Sequence, residues 1–195
     1  MKPENQTTDV IRRFVSKGVF PYQMAFTLLI PVRNLYMSPE KLSKRLELKE
    51  DLKVLEVGPG PGYYSIKMAK ILNKGKLVLA DIQQKMLDYA KKRIDKRKLT
   101  NVEYYLCDGT SFNFDDNTYD RIFMVTVIGE VENKDEYLNE FYRILKEGGL
   151  LSVSELAGDS DKLTIEEVKY LAEKHKFKFY KLYGNKRNYT INFIK

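Results

Sequence analysis

The stretch VLEVGPGPGYYS, from Val54 to Ser65, places three glycines at alternate positions directly after a short apolar run. Glycine adopts positive φ angles at little steric cost, so the pattern indicates a β-strand that ends in a turn of bare backbone. The apolar run itself contains an acid, Glu56. In α/β proteins, ligands bind beyond the carboxyl ends of the strands, beside the first strand. The sequence therefore predicts a ligand site at this turn.

Downstream of the turn, strand-like and helix-like segments alternate. The strand-like runs are KVLEVG, GKLVLAD, VEYYLCD, YDRIFMVTVI and LLSVSEL, followed by FKFYKLY and YTINFI. Apolar spacing predicts helices over residues 62–73, 83–98 and 134–146, the last one capped by Gly148 and Gly149. Such alternation predicts an α/β fold: a doubly wound, seven-stranded, mostly parallel sheet with a C-terminal antiparallel strand and helices on both faces.

The first quarter of the chain has a different pattern. Residues 1–50 are predicted to form helices and turns, with Ser38 as a helix cap and Pro39 as the first helical position. We expect two units: residues 1–50 as an N-terminal helical extension or lid, and residues 51–195 as the ligand-binding domain. The sequence leaves open whether the extension is a lid or only packs on the domain.

Composition narrows the class of protein. With 43% hydrophobic residues the chain can bury a full core, and the polar start MKPENQTTDV contains no secretory signal. The longest apolar window, MAFTLLIPV, is far shorter than the roughly 20 residues of a membrane-spanning helix. The single cysteine, Cys107, cannot form an intrachain disulfide and is expected to be buried in the sheet packing. We expect a soluble, cytoplasmic protein without a metal site.

The charge of the chain leaves two interpretations open. The formal net charge is +7, and six of the eight positions from Lys91 to Lys98 (KKRIDKRK) are basic. Such a run could form a patch for nucleic acid. The other interpretation is the solvated face of an amphipathic helix, which is the more common origin of a charge run.

The glycine turn matches neither of the two common phosphate-binding patterns. A triphosphate-binding loop ends in Gly-Lys-Ser/Thr, but Tyr63 follows the last glycine and the next lysine is Lys67. The dinucleotide pattern requires a small residue at the position of Tyr63, and Glu56 would repel a pyrophosphate in a partly desolvated site. The ligand should lack phosphates and carry positive charge. S-adenosylmethionine, with a sulfonium and an α-amino group, meets both conditions.

VLEVGPGPG followed by LADIQ resembles the class I S-adenosylmethionine-dependent methyltransferases, from about Asp51 to the C-terminus. In that family the first strand carries an acid before a glycine loop, and further acids end the second and third strands. The resemblance implies that the cofactor is S-adenosylmethionine and the product S-adenosylhomocysteine. It also assigns the loop that surrounds the methionine moiety to Glu56, Gly58, Pro59, Gly60 and Gly62.

The resemblance implies roles for residues at the next three strand ends. Asp81, 25 positions after Glu56, matches the acid that accepts hydrogen bonds from the ribose hydroxyls. The remaining matches are the adenine-sandwiching pair Ile82 and Met86, the adenine-reading Asp108 with Gly109, and the methionine-contacting backbone of Val125 and Thr126.

The acceptor side is the least determined by the sequence. No catalytic residue is assigned, because methyl transfer from a sulfonium needs mainly alignment and desolvation. Tyr22 and Met24, in an aromatic N-terminal stretch, and Glu130, just after the fourth strand, are candidates for acceptor binding. His175, the single histidine, is expected to be a surface residue of the last helix. We expect a small-molecule acceptor; an RNA- or protein-directed enzyme is the alternative, and the oligomeric state is open.

Overall fold

The computed structural model describes residues 37–195. The helices are α1 (Pro39–Arg45), α2 (Ser65–Ile71), α3 (Gln84–Asp95), α4 (Lys134–Ile144) and α5 (Ile165–Lys174). The strands are β1 (Lys53–Val57), β2 (Lys76–Asp81), β3 (Val102–Leu106), β4 (Tyr119–Val125), β5 (Leu145–Glu155), β6 (Lys178–Asn185) and β7 (Asn188–Ile194). The predicted cap is confirmed at the start of α1, where the Ser38 side chain accepts a hydrogen bond from the Lys41 amide.

All seven strands form one sheet in the order β3-β2-β1-β4-β5-β7-β6. The pairs from β3 through β5 are parallel, and β7 runs antiparallel to both β5 and β6. This confirms the predicted doubly wound sheet with an antiparallel C-terminal strand. The chain order reverses between β1 and β4, and ligands of open α/β sheets bind beside such a reversal.

Helices cover both faces of the sheet, which explains the nearly continuous apolar runs in the central strands. Neighbouring residues of β1 point to opposite sides: Leu55 belongs to one core cluster and Val54 to the other. The first cluster also contains Phe141 of α4 and Val168 of α5, and the second contains Met68 of α2. Alternate strand residues are therefore buried under different helices.

The end of α4 differs from the prediction. The helix ends at Ile144, and the backbone becomes extended at Leu145. Gly148 and Gly149 lie inside β5, where the register with β4 shifts, and so they do not cap the helix. The shift gives the physical reason, since an irregular strand segment can use a glycine at positive φ, as Gly148 does at 69°.

The prediction that His175 lies on the surface is wrong. Its side chain is only 7% exposed. The Nδ1 atom lies 2.7 Å from Asn139 Oδ1, and the Nε2 atom lies 2.7 Å from Asp135 Oδ1. Both partners belong to α4, so the imidazole links the end of α5 to α4. Cys107, in contrast, is buried as expected.

Within residues 37–195, no helix combines the length and the apolar character that crossing a membrane requires.

Candidate functional site

The turn after β1 has a conformation that glycine favours at three positions. Gly58, Gly60 and Gly62 have φ angles of 64°, 53° and 73°. A Cβ atom on Gly58 would lie 2.5 Å from Val127 Cγ2, and one on Gly62 would lie 3.2 Å from Ala90 Cβ. The Gly58 amide donates to the Ala80 carbonyl at 2.8 Å. The turn is thus packed against the segment after β4, against α3 and against the end of β2.

The glycine turn continues through the two prolines of the motif. The Gly62 amide donates to the Pro59 carbonyl at 3.0 Å, which closes the turn on itself. Helix α2 begins three residues later, at Ser65. The predicted strand–turn–helix arrangement around Pro59 is therefore present.

Glu56 lies in β1 just before the turn and is buried, with 3% of its surface exposed. Its Oε2 atom has no hydrogen-bond partner among residues 37–195. Burial raises the pKa of the carboxyl to about 8, and the neighbouring Asp81 charge adds to the shift. A buried carboxylate oxygen without a partner is costly, so this position favours a cation or a hydrogen-bond donor.

Asp81 ends β2 and is also buried, with 7% exposed. Its Oδ1 atom accepts a hydrogen bond from the Gln83 amide at 2.9 Å. Burial raises the pKa of this carboxyl to about 6, while the backbone amides of Gln83, Gly60 and Ile82 oppose the shift. The fold therefore brings Asp81 to the glycine turn, as the order of the strands predicts.

The two carboxyl groups give the site its chemical character. Within the described part of the chain, neither Glu56 nor Asp81 forms an ion pair with a lysine, arginine or histidine. Two acceptors beside a glycine turn suit a ligand with positive charge and hydroxyl donors, and disfavour a phosphate. S-adenosylmethionine fits these residues.

The apolar residues after β2 differ in accessibility. Ile82 is 43% exposed, whereas Met86 is 2% exposed. A Cβ atom on Gly109, which has a φ of 91°, would lie 3.9 Å from Ile82 Cγ2. The structure thus brings Ile82 and Gly109 together beside the ends of β2 and β3, with Met86 buried.

Asp108, just after β3, has a different environment. Asp108 is exposed to solvent. The Oδ1 atom accepts hydrogen bonds from the Thr110 amide, the Thr110 hydroxyl and the Ser111 amide, at 2.8, 3.0 and 2.9 Å. The Oδ2 atom accepts one from the Ser111 hydroxyl at 3.1 Å. The backbone amides of Ser111 and Thr110 hold the pKa of Asp108 well below its usual range.

The end of β4 contains an unusual backbone conformation. Thr126 has a φ of 55°, which is rare for a β-branched residue and often occurs at functional sites. Its amide donates to the Ser154 carbonyl at 2.8 Å, and its hydroxyl donates to the Val125 carbonyl at 2.7 Å. Val125 is buried. The chain therefore changes direction sharply at the predicted methionine contact.

Glu155, the last residue of β5, is a further acid at a strand end that the motifs of the sequence did not indicate. It is completely buried. Burial raises the pKa of Glu155 to about 9, and the charges of Asp159 and Glu130 add to the effect. Glu130, the residue predicted to bind the acceptor molecule, thus lies close enough for its charge to act on Glu155. An acid at the end of an apolar strand, the pattern used for Asp81, would have indicated it.

Tyr22 and Met24 lie outside the described residues. The first described residue, Met37, is buried, and its carbonyl accepts a hydrogen bond from the Tyr64 hydroxyl at 3.2 Å. Its Sδ atom lies 3.9 Å from the hydroxyl of Thr190 in β7. Met37 therefore contacts both Tyr64, just before α2, and β7.

Known proteins resemble this chain in both sequence and fold. A family model described as a methyltransferase domain matches residues 48–191. The ubiquinone/menaquinone biosynthesis C-methyltransferase UbiE of Hydrogenovibrio crunogenus is 35% identical over 106 residues, which cover 53% of this chain and 42% of that protein. The chain spans less than half the length of this relative in the match.

Solved structures extend the likeness over most of the chain. A SAM-dependent methyltransferase from Aquifex aeolicus is 26% identical with a TM-score of 0.84, covering 90% of this chain and 99% of that one. The [4+2]-cyclase SpnF is 21% identical with a TM-score of 0.66, covering 74% of this chain and 58% of that one. The likeness to the cyclase shows the fold alone.

Proposed function

The chain belongs to the S-adenosylmethionine-dependent methyltransferases, and from this membership we propose that it transfers a methyl group to a small-molecule acceptor. One observation carries the assignment of the cofactor site. Two buried carboxyl groups, Glu56 and Asp81, flank a turn in which three glycines have positive φ angles. This arrangement suits a cationic nucleoside without phosphates.

The strand ends would divide the binding of S-adenosylmethionine between them. The turn of Gly58, Pro59, Gly60 and Gly62 would lie against the methionine moiety, with Glu56 favouring its positive charge. Asp81 would accept hydrogen bonds from the ribose hydroxyls. The adenine would contact Ile82 and Gly109, with Met86 beneath and Asp108 at its amino group. Val125 and Thr126 would contact the methionine end through the backbone.

The reactive group comes from the cofactor: when bound, S-adenosylmethionine would supply a methyl group on a sulfonium. The acceptor atom bonds to the methyl carbon as the bond from that carbon to sulfur breaks, and S-adenosylhomocysteine is left. The chain's own contribution is alignment and exclusion of water, which together lower the barrier without a nucleophile–base pair. We propose that residues 1–50, including Tyr22 and Met24, cover the acceptor side, and that Glu130 contacts the acceptor. Residues 51–195 form the cofactor-binding domain in this proposal.

The small-molecule acceptor is supported by the UbiE relatives, which are named for C-methylation in quinone biosynthesis. An RNA- or protein-directed enzyme finds less support in the basic run from Lys91 to Lys98, which covers the end of α3. Lys91 pairs with Asp95 at 2.9 Å, Arg93 donates to the Pro61 carbonyl, and Arg97 donates to the Arg93 carbonyl. Several of these charges therefore already have partners within the chain.

Calorimetry and transfer of a labelled methyl group test the proposal in two stages. Titration with S-adenosylhomocysteine should give saturable binding, and titration with NAD should give none. The protein is then incubated with labelled S-adenosylmethionine and with a metabolite extract, total RNA or a protein extract. We expect label in the metabolite fraction with the parent protein and less label, at a subsaturating cofactor concentration, with Asp81→Ala. Label confined to RNA or protein would overturn the small-molecule acceptor, and absence of cofactor binding would overturn the site.

A further inference from the structure

Five of the six basic residues from Lys91 to Lys98 are exposed, whereas Arg93 is partly buried. It lies on α3, and its Nη1 atom donates a hydrogen bond to the Pro61 carbonyl. Burial lowers the pKa of Arg93, with the nearby Arg97 adding to the effect. A half-buried guanidinium that contacts the glycine turn is not part of a purely solvated helix face.

A second contact joins the same helix to the same turn. One helical turn before Arg93, Ala90 is buried against Gly62, where a Cβ atom would come within 3.2 Å of the Ala90 Cβ. Helix α3 therefore contacts two consecutive residues of the turn, Pro61 through a hydrogen bond and Gly62 through packing. These residues lie at its α2 end.

The hydrogen bond acts on a segment that is otherwise costly to order. Glycine loses more conformational freedom on folding than any other residue, and this turn contains three within five positions, from Gly58 to Gly62. A hydrogen bond from a charged donor is stronger than a neutral one, and burial increases its strength. The Arg93 contact thus adds a charge-assisted hydrogen bond to the two backbone hydrogen bonds that already order this turn.

We propose that Arg93 is a positioning residue that holds the glycine turn in its cofactor-binding conformation before the cofactor arrives. It acts through the Pro61 carbonyl. A loop that is already ordered binds its ligand more tightly because less entropy is lost on binding. The inference rests on the proposed function for its ligand, but the order of the turn itself can be measured without any ligand.

Arg97, two residues past the end of α3, provides a matched control from the same basic run. Its Nη1 atom donates to the Arg93 carbonyl at 2.9 Å, a local contact at the end of α3 that does not involve the glycine turn, and the residue is exposed. Arg97→Met removes the same charge and the same type of side chain as Arg93→Met, but leaves the contact with Pro61 in place. A difference between the two variants therefore reports on that contact rather than on net charge.

Hydrogen exchange of the turn and calorimetry with S-adenosylhomocysteine test the proposal on the full chain. Arg93→Met should speed amide exchange in residues 58–65 without cofactor and weaken binding by about tenfold, as expected for one charge-assisted hydrogen bond. Arg93→Lys, which keeps a charged donor, should recover part of both effects. Arg97→Met should behave as the parent protein does.

The outcomes separate this inference from the proposed function. Equal exchange and equal affinity in Arg93→Met and Arg97→Met would overturn the positioning role. If the parent protein does not bind S-adenosylhomocysteine but Arg93→Met still speeds exchange of the turn, the proposed cofactor is wrong while the clamp on the turn stands. If Arg93→Met does not fold, Arg93→Gln, which removes the charge but keeps a polar side chain, replaces it in both measurements, and equal values for Arg93→Gln and Arg97→Met would again overturn the role.

Discussion

Two aspartates at neighbouring strand ends follow the same sequence pattern but have opposite environments. Asp81 ends β2 beside the glycine turn, is 7% exposed and has a pKa raised by burial. Asp108 follows β3, is exposed and has a pKa lowered by local hydrogen bonds. An acid after an apolar strand thus predicts its position in the sheet, but burial and nearby donors decide whether its oxygens are available to a ligand.

The contrast extends to the residues around each aspartate. On the side of β1 and β2, Glu56 has an oxygen without a partner in the described part of the chain, and the glycines pack tightly against Val127 and Ala90. On the β3 side, the hydroxyls and amides of Thr110 and Ser111 surround the Asp108 carboxylate. We expect the first side to provide most of the free energy of cofactor binding.

The largest expected effect comes from adding one carbon atom to the tight side of the site. Gly58→Ala places a Cβ atom 2.5 Å from Val127 Cγ2 at a φ of 64°. The overlap and the left-handed conformation together should lower the free energy of unfolding by roughly 2–5 kcal/mol and abolish cofactor binding. Urea denaturation and calorimetry measure the two effects.

Gly148→Ala is the matched control for Gly58→Ala. Gly148 has a similar φ of 69°, but a Cβ atom there would meet nothing within 4 Å. This variant should lose only roughly 1–2 kcal/mol of stability and keep the affinity of the parent protein. Equal losses of stability in the two variants would show that the packing against Val127 is not tight.

The second effect tests Asp81 itself. Asp81→Ala removes an acceptor that is buried beside the turn, so cofactor binding should weaken by about 1–3 kcal/mol. Asp88→Ala, on the exposed side of α3, is a suitable control because it removes the same charge away from the turn. Parent-like affinity for S-adenosylhomocysteine in Asp81→Ala would contradict the proposed ribose contact.

The third effect is a pH dependence caused by Glu56. Its pKa in the folded protein is about 8, above the usual carboxyl value, so the folded state binds more protons than the unfolded state between about pH 4.5 and 8. Stability should therefore fall as the pH rises through this window. Glu56→Gln should reduce the fall by roughly 2 kcal/mol between pH 6 and 8.5.

Urea denaturation at the two pH values measures this difference. Glu155 and Asp81, whose pKa values are raised to about 9 and about 6, contribute changes of the same sign in both proteins, so the difference between the proteins reports mainly on Glu56. An equal fall in the parent and in Glu56→Gln would show that Glu56 is already ionised in the folded protein at pH 6.

Much of the cofactor half of the fold could be predicted because local signals agree there. Strand length, helical spacing and the glycine pattern all indicated β1, the turn and β2, and the alternation of strands and helices indicated the sheet. The placement of Glu56 and Asp81 at one edge then follows from the parallel topology. These signals are local in the sequence, which makes them readable without the structure.

The unpredicted features depend on contacts between distant residues. His175 is buried because Asp135 and Asn139, some 40 and 36 positions earlier, come to lie against it. Arg93 contacts Pro61, 32 positions away, although its neighbours in sequence mark it as a surface charge. The hydrophobic pattern of a single helix contains no information on such partners.

The smallest expected effect concerns Asp108. Its two oxygens already accept four hydrogen bonds from Thr110 and Ser111, so a contact with the adenine amino group must share these acceptors. Asp108→Asn keeps one acceptor oxygen and should change the affinity for S-adenosylhomocysteine by less than about 1 kcal/mol. Calorimetric titration of Asp108→Asn and Asp81→Ala with S-adenosylhomocysteine measures the two losses of affinity under the same conditions. A loss of affinity in Asp108→Asn as large as that in Asp81→Ala would contradict this expectation. It would mean that the cofactor displaces the hydrogen bonds from Thr110 and Ser111, and that Asp108 contributes as much to cofactor binding as Asp81.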